Sequence, residues 1–220
     1  MDVRALAVRV GLGLGFAVAC GGAAATPIDS RAFFDPYTPT ITTWDVNGSG
    51  AAVSLLSGQS MMLPASEYQS SGFTFSQSIA WVRDSSATFQ AAQSLIGTPN
   101  VAIPSAPFNT FSVLFTQPTD AFAFAVITNS AATTVPTFTA YDAQDQAIET
   151  VTWGAPFIDG TIGTTQYGYM GIYSPGTKIA RVQVTKQLAI LDDFLFATVP
   201  APGAGALLGA GLLLGARRRR

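Results

Sequence analysis

The chain has 220 residues, of which 48% are hydrophobic and only 11% charged, with 21 Gly, 13 Pro, 15 Phe, one Cys and no His. The absence of His removes Ser-His-Asp and Cys-His hydrolysis and His-ligated zinc, and one Cys permits neither an internal disulfide nor a Cys-cluster metal site. Residues 26–198 carry five basic side chains (Arg31, Arg83, Lys178, Arg181, Lys186) against twelve acidic ones, a net charge of −7. That balance excludes nucleic acid as a partner, because phosphate neutralisation supplies such affinity.

Residues 1–25 read as a secretory signal peptide. Arg4 and Arg9 give a positive start, Val10 to Ala19 a short apolar run, and Ala23 and Ala25 fit an A-x-A cleavage rule, with Pro27 breaking any continuing helix. The apolar run is short for about 30 Å of hydrocarbon, so cleavage after Ala25 is expected. A competing reading makes Cys20 a lipidated N-terminal residue, although Ala17 stands where such sites usually carry Leu. Residues 26–40, with three prolines, read as an extended leader.

Residues 41–198 show no sustained helical period. They hold short segments rich in Val, Ile, Thr and Phe, separated by Gly, Pro, Ser, Asn and Asp. Phe111, Val113 and Phe115 alternate with Ser112 and Leu114. Phe122, Phe124 and Val126 alternate with Ala121, Ala123 and Ala125, which suits a central strand packed on both faces. Thr137 to Tyr141, Ala147 to Trp153, Tyr169 to Tyr173, Ile179 to Thr185 and Ala189 to Phe196 continue the series, with turn chemistry at 142–146 predicting a hairpin. The expected fold is all-β, an antiparallel β-sandwich or jelly roll. Residues 85–107 are the least regular and predict a long loop with one short helix or strand.

Residues 199–220 form the most specific stretch. Val199-Pro200-Ala201-Pro202 is followed by an apolar segment rich in Gly, Ala and Leu and by Arg217, Arg218, Arg219 and Arg220. The 18 residues from Val199 to Ala216 carry no charge, near the minimum for a membrane-spanning helix, and the arginines would hold that end in the cytoplasm. A plain tail anchor is the alternative reading.

This arrangement resembles a PEP-CTERM sorting signal, in which a Pro-containing motif, a transmembrane helix and an Arg cluster are read by an exosortase, an integral-membrane processing enzyme. Pro200 and Pro202 match the two prolines and Arg217 to Arg220 the basic cluster, while Ala201 replaces the usual Glu. The resemblance implies an exported protein, held in the membrane before processing and then released or transferred to the cell surface. The body in turn resembles the galactose-binding-like jelly rolls that often precede such tails. Carried by Gly72-Phe73-Thr74-Phe75, by 138–151 and by Leu191-Asp192-Asp193-Phe194, it implies fold more than ligand.

With His absent, catalysis would fall to carboxylates, Ser/Thr, Tyr and Lys. A glycosidase needs two carboxylates across one sugar, and Glu67, Asp142, Asp145, Asp159, Asp192 and Asp193 are the candidates. Asp142, Asp145 and Asp159 sit where turns want Asp, so no catalytic residue or cofactor is assigned and the expectation is a non-enzymatic protein. Asp192-Asp193 inside an apolar strand is the most unusual local feature, since alternation turns one carboxylate inward unless the strand bulges or a partner compensates. Two readings stay open: an edge or bulge where both meet water, Arg181 or Lys186, and, as in jelly rolls resembling this one, a structural Ca²⁺ site. Trp44, Trp81, Trp153, Tyr167, Tyr169 and Tyr173 offer either core or a platform for polysaccharide, with Trp153 and 166–173 the best platform candidates. The resulting expectation is a structural or adhesive surface protein, with a carbohydrate-binding module and a His-free glycosidase as alternatives.

Overall fold

The computed structural model describes residues 24–96, 110–131, 135–185 and 189–199. The signal-peptide residues through Ala23, the lipidation candidate Cys20, Lys186 and the tail from Pro200 to Arg220 lie outside them. Among the described residues no helix is long and apolar enough to cross a membrane.

The described residues form thirteen strands, in chain order β1 (Thr26–Ile28), β2 (Thr40–Thr42), β3 (Ser60–Leu63), β4 (Phe73–Phe75), β5 (Ile79–Val82), β6 (Thr110–Thr119), β7 (Ala121–Asn129), β8 (Thr137–Tyr141), β9 (Ala147–Thr152), β10 (Gly160–Ile162), β11 (Thr165–Tyr173), β12 (Ile179–Thr185) and β13 (Ala189–Ala197). One helix, α1 (Ala87–Ile96), and two 3-10 turns, Arg31–Phe34 and Gln69–Ser71, complete them. One sheet runs β1-β11-β7-β13-β2, with β10 also on β11. A second runs β4-β6-β12-β8-β9, and β3 and β5 form a small third. Every pairing is antiparallel.

The two large sheets face each other across an aromatic core. Phe122, Phe124, Met170 and Phe194 of the first meet Phe73, Phe111, Phe138 and Val182 of the second, with Phe124 and Phe138 rings 5.4 Å apart. The protein is therefore an all-β sandwich. Strand β7 shows why the alternation of large and small residues was informative. Its Phe122, Phe124 and Val126 fill the inner core, while Ala121, Ala123 and Ala125 face a second cluster on the outer side. Those small side chains let α1, through Ala92 and Ile96, and the first 3-10 turn, through Phe34, lie close against the sheet.

The hairpin expected at 142–146 is present. Asp142 Oδ1 accepts from the backbone N–H of Gln144 at 2.9 Å and of Gln146 at 2.8 Å, and Asp145 takes a φ of 60°, which Asp tolerates. The irregular 85–107 stretch carries α1, and 97–109 lie outside the described residues. Residues 26–40 correct the expectation of an extended leader. Thr26 to Ile28 pair with Gly171 to Tyr173, and Ile28 and Phe34 are buried. Pro27 lies within β1 and Pro36 and Pro39 follow Phe34, so the prolines flank these anchors without preventing their burial. The expected signal-cleavage bond, Ala25–Thr26, falls at the first residue of β1.

Candidate functional site

The outer face of the first sheet and its rim collect most of the unusual side chains. Strand β13 bulges between Asp192 and Phe194: Asp192 stands opposite Ala125, Phe194 opposite Phe124, and Asp193 is the extra residue. The bulge keeps Phe194 in the inner core while both carboxylates find partners in the outer layer, which is how one extra residue re-aims a strand. Asp192 Oδ2 accepts from Gln93 Nε2 of α1 at 3.0 Å, and its Oδ1 from the Asp193 N–H at 2.8 Å. Asp193 Oδ2 takes Arg31 Nη1 of the 3-10 turn at 3.3 Å.

Both carboxyls are almost fully buried, and β13 is a central strand. The expected bulge is present, but the expectation that the acids meet water or Arg181 is corrected: Arg181 instead pairs with Asp145 and lies 3.8 Å over the Tyr141 ring, while Lys186 lies outside the described residues. Burial pushes the Asp193 carboxyl up to about 6, with Arg31 opposing and Asp45 adding to the rise. Burial, reinforced by the charge of Asp193, also raises Asp192 well above the usual carboxylate range. Gln93 Oε1 and Asp193 Oδ1 have no hydrogen-bond partner among the described residues. Among the described residues no group of three or more His, Cys, Asp or Glu is placed to hold a metal ion.

The other carboxylate candidates are dispersed. Glu67 Oε1 accepts from the Gly48 N–H at 3.0 Å, and Asp142 and Asp145 serve the β8–β9 turn. Asp159 lines a cavity of about 320 Å³ with Ser30, Arg31 and Tyr169. Burial and the charge of Asp29 raise its pKa. A neighbouring cavity of about 230 Å³ holds Asp35. Neither brings two carboxylates together.

The aromatic platform candidates belong to the packing. Trp44, Trp81 and Trp153 are buried in the inner core, and Trp153 Nε1 donates to Gln166 Oε1 at 3.3 Å. Tyr167, Tyr169 and Tyr173 share the outer face of β11 and join the outer cluster. Tyr169 is buried, its hydroxyl bonded to the Ile96 carbonyl, and burial pushes it up to about 12. Tyr173 packs on Phe33 at 5.2 Å. Tyr167 is half-buried, its ring lying where any Cβ on Gly160 would sit.

An open groove of about 430 Å³ lies at the rim where β2, β6 and β13 end. Tyr37 and Phe196 give it two half-buried aromatic walls, and Thr38, Thr40, Gln117, Thr119 and Thr198 supply hydroxyl and amide groups. Among the described residues no charged side chain lines it. The Tyr37 ring is 5.7 Å from Phe33, which fixes its position, and it also lines the 230 Å³ cavity. Sequence reasoning did not single out Tyr37 or Phe196. The available signal was Pro36-Tyr37-Thr38-Pro39-Thr40, an aromatic held between two prolines among threonines and outside any hydrophobic alternation.

No family model matches the chain, and no curated protein matches it. Among solved structures, the enzymatically active domain of bacteriophage CBA120 tailspike protein 4 is 13% identical with a TM-score of 0.28, over 77% of this chain and 20% of that one. The chain thus spans about a fifth of the tailspike chain's length. A family 29 carbohydrate-binding module mutant made to probe ligand recognition is 9% identical with a TM-score of 0.20, over 75% of this chain and 93% of that one. A second family 29 mutant is 11% identical at 0.22, over 75% and 99%. Likeness this low carries no argument about ligand or activity; the sandwich rests on the strand register above.

Proposed function

We propose that this protein is an exported, non-catalytic surface module that binds neutral polysaccharide in the Tyr37 groove and serves adhesion or matrix structure. The observation that carries this reading is the groove itself: two aromatic walls, several hydroxyl and amide groups and no charge. A sugar ring presents C–H faces to such walls and hydroxyls to such groups, while an uncharged lining on an acidic body favours a neutral chain over an anionic one. Affinity electrophoresis in gels cast with neutral polysaccharides tests it. The body should be retarded, and Tyr37→Ala should bind about tenfold more weakly, a loss of about 1.4 kcal/mol, while the protein stays folded with a midpoint lowered only by the lost packing on Phe33. Gln117→Ala, an exposed change, should weaken binding less. Wild-type mobility that ignores every polysaccharide sinks the reading.

Delivery is proposed from the two ends of the chain. The Ala23/Ala25 signal, the V-P-x-P motif at Val199, Pro200 and Pro202, and the Arg217 to Arg220 cluster support export, transient membrane insertion and processing by an exosortase-type enzyme. Intact mass from the native cells checks this. A species beginning at Thr26 and lacking the four arginines, outside the membrane, is expected. One that keeps the arginines and stays in the membrane fraction overturns the sorting reading.

A further inference from the structure

Asp120 is the single residue between β6 and β7, the corner where the chain passes from one large sheet to the other. It is buried, and the corner gathers the end of β13. The Asp120 N–H donates to the Ala197 carbonyl at 3.1 Å, and Thr119 Oγ1 donates to the same carbonyl at 2.6 Å. Asp120 Oδ2 accepts the Val199 N–H at 2.7 Å and Lys178 Nζ at 2.6 Å. Its own carbonyl accepts from Ser174 N–H at 2.7 Å. Val199 is itself buried, in the outer cluster with Leu195 and Ala197. The charge-assisted bonds to one carboxylate oxygen are of the stronger kind, and they fall on the last residue before Pro200.

We propose that Asp120 is the positioning residue that holds Val199, the residue before Pro200, in the folded body, so that the processing peptidase cuts beyond it. This rests on the reading of residues 199–220 as a sorting signal. A peptidase needs several residues of extended, accessible chain, so it cuts folded protein only in proportion to local opening. Residues 197–199 meet that requirement only when the latch opens. Pro200, one residue on, has no N–H to enter it. The first residue of the V-P-x-P motif therefore belongs to the body. Ala197 and Thr198 also line the Tyr37 groove, so a cut beyond Val199 leaves that groove whole.

The test digests the full-length chain with a broad-specificity endopeptidase and reads the C-terminus of the surviving body by intact mass. Wild-type bodies should end at Val199 or beyond. Asp120→Ala should be trimmed past Val199 about tenfold faster. If that variant fails to fold, Val199→Pro removes the donor N–H, together with a buried isopropyl group, leaves the carboxylate with Lys178, and should trim in the same way. Wild-type bodies that lose Ala197 to Val199 as fast as either variant overturn the latch. Protein from native cells that keeps Arg217 to Arg220 overturns the processing role alone, since the protease boundary is read independently of it.

Discussion

Thermal stability should fall as pH rises from about 4 to about 7, because the folded chain holds protons that the unfolded chain releases. The Asp193 carboxyl lies near 6 in the fold against 3.8 for the unperturbed group. Between those values the native state binds more protons, so stability declines with rising pH through that window and levels off above about 6. The difference corresponds to about 3 kcal/mol, a large share of the 5–15 kcal/mol that holds a domain. Burial and its neighbour's charge raise Asp192 well above the usual carboxylate range, so it pushes the same way. The charged groups facing the pair are Arg31 from the 3-10 turn and Asp45 beyond β2. The Arg31 guanidinium softens the cost of ionising Asp193 without removing it. Gln93 is placed to serve both states: its amide donates to ionised Asp192, and its unpartnered Oε1, brought round by an amide flip, accepts from the protonated acid. Circular-dichroism melts should show a midpoint about 6–12 °C higher at pH 4.5 than at pH 7.5. Asp193→Asn should flatten that dependence, and the Asp192→Asn, Asp193→Asn double variant should nearly abolish it. A double variant with the wild-type slope sinks the assignment.

Most of the sandwich was legible in the sequence because its strands carry local period-2 patterns. Phe122, Phe124 and Val126 against three alanines specify not only a strand but a two-faced one, and both faces are occupied. The segment at 26–40 was less legible, since Pro27, Pro36 and Pro39 mask single buried anchors such as Ile28 and Phe34, each of which acts through a distant partner. Asp192-Asp193 could be read as anomalous, but what resolves the anomaly could not. Gln93 lies 99 residues away and Arg31 162, and neither separation leaves a mark on local pattern. The groove was illegible for the same reason: its walls come from Tyr37 and Phe196 and its polar groups from three parts of the chain. Conversely, the Tyr167 to Tyr173 cluster could be read as either core or platform, and it is these tyrosines that α1 and the 3-10 turn pack against.

Phe194→Ala should be the most damaging single truncation in the body, costing about 3–5 kcal/mol. The ring is fully buried and stacks on Phe124 at 4.4 Å, with Phe73 at 5.0 Å, Phe196 at 5.4 Å and Phe115 at 6.0 Å. Phe124 and Phe196 come from its own sheet, Phe73 and Phe115 from the opposite one, so the cavity sits between two ladders fixed by backbone hydrogen bonds and can collapse only slightly. Phe194→Leu, which refills most of the space, should cost far less. Because Phe124 borders the same space, the Phe124→Ala, Phe194→Ala pair should cost less than the two single losses together. Urea denaturation at pH 7 measures all three, and a Phe194→Ala loss below about 1 kcal/mol would contradict the picture of an interlocked aromatic core. The bulge ties this position to the acids. In unbroken alternation Asp193 would turn inward and Phe194 outward, so leaving Asp193 as the unpaired extra residue brings two carboxylates into the outer layer and keeps the central phenylalanine in the core.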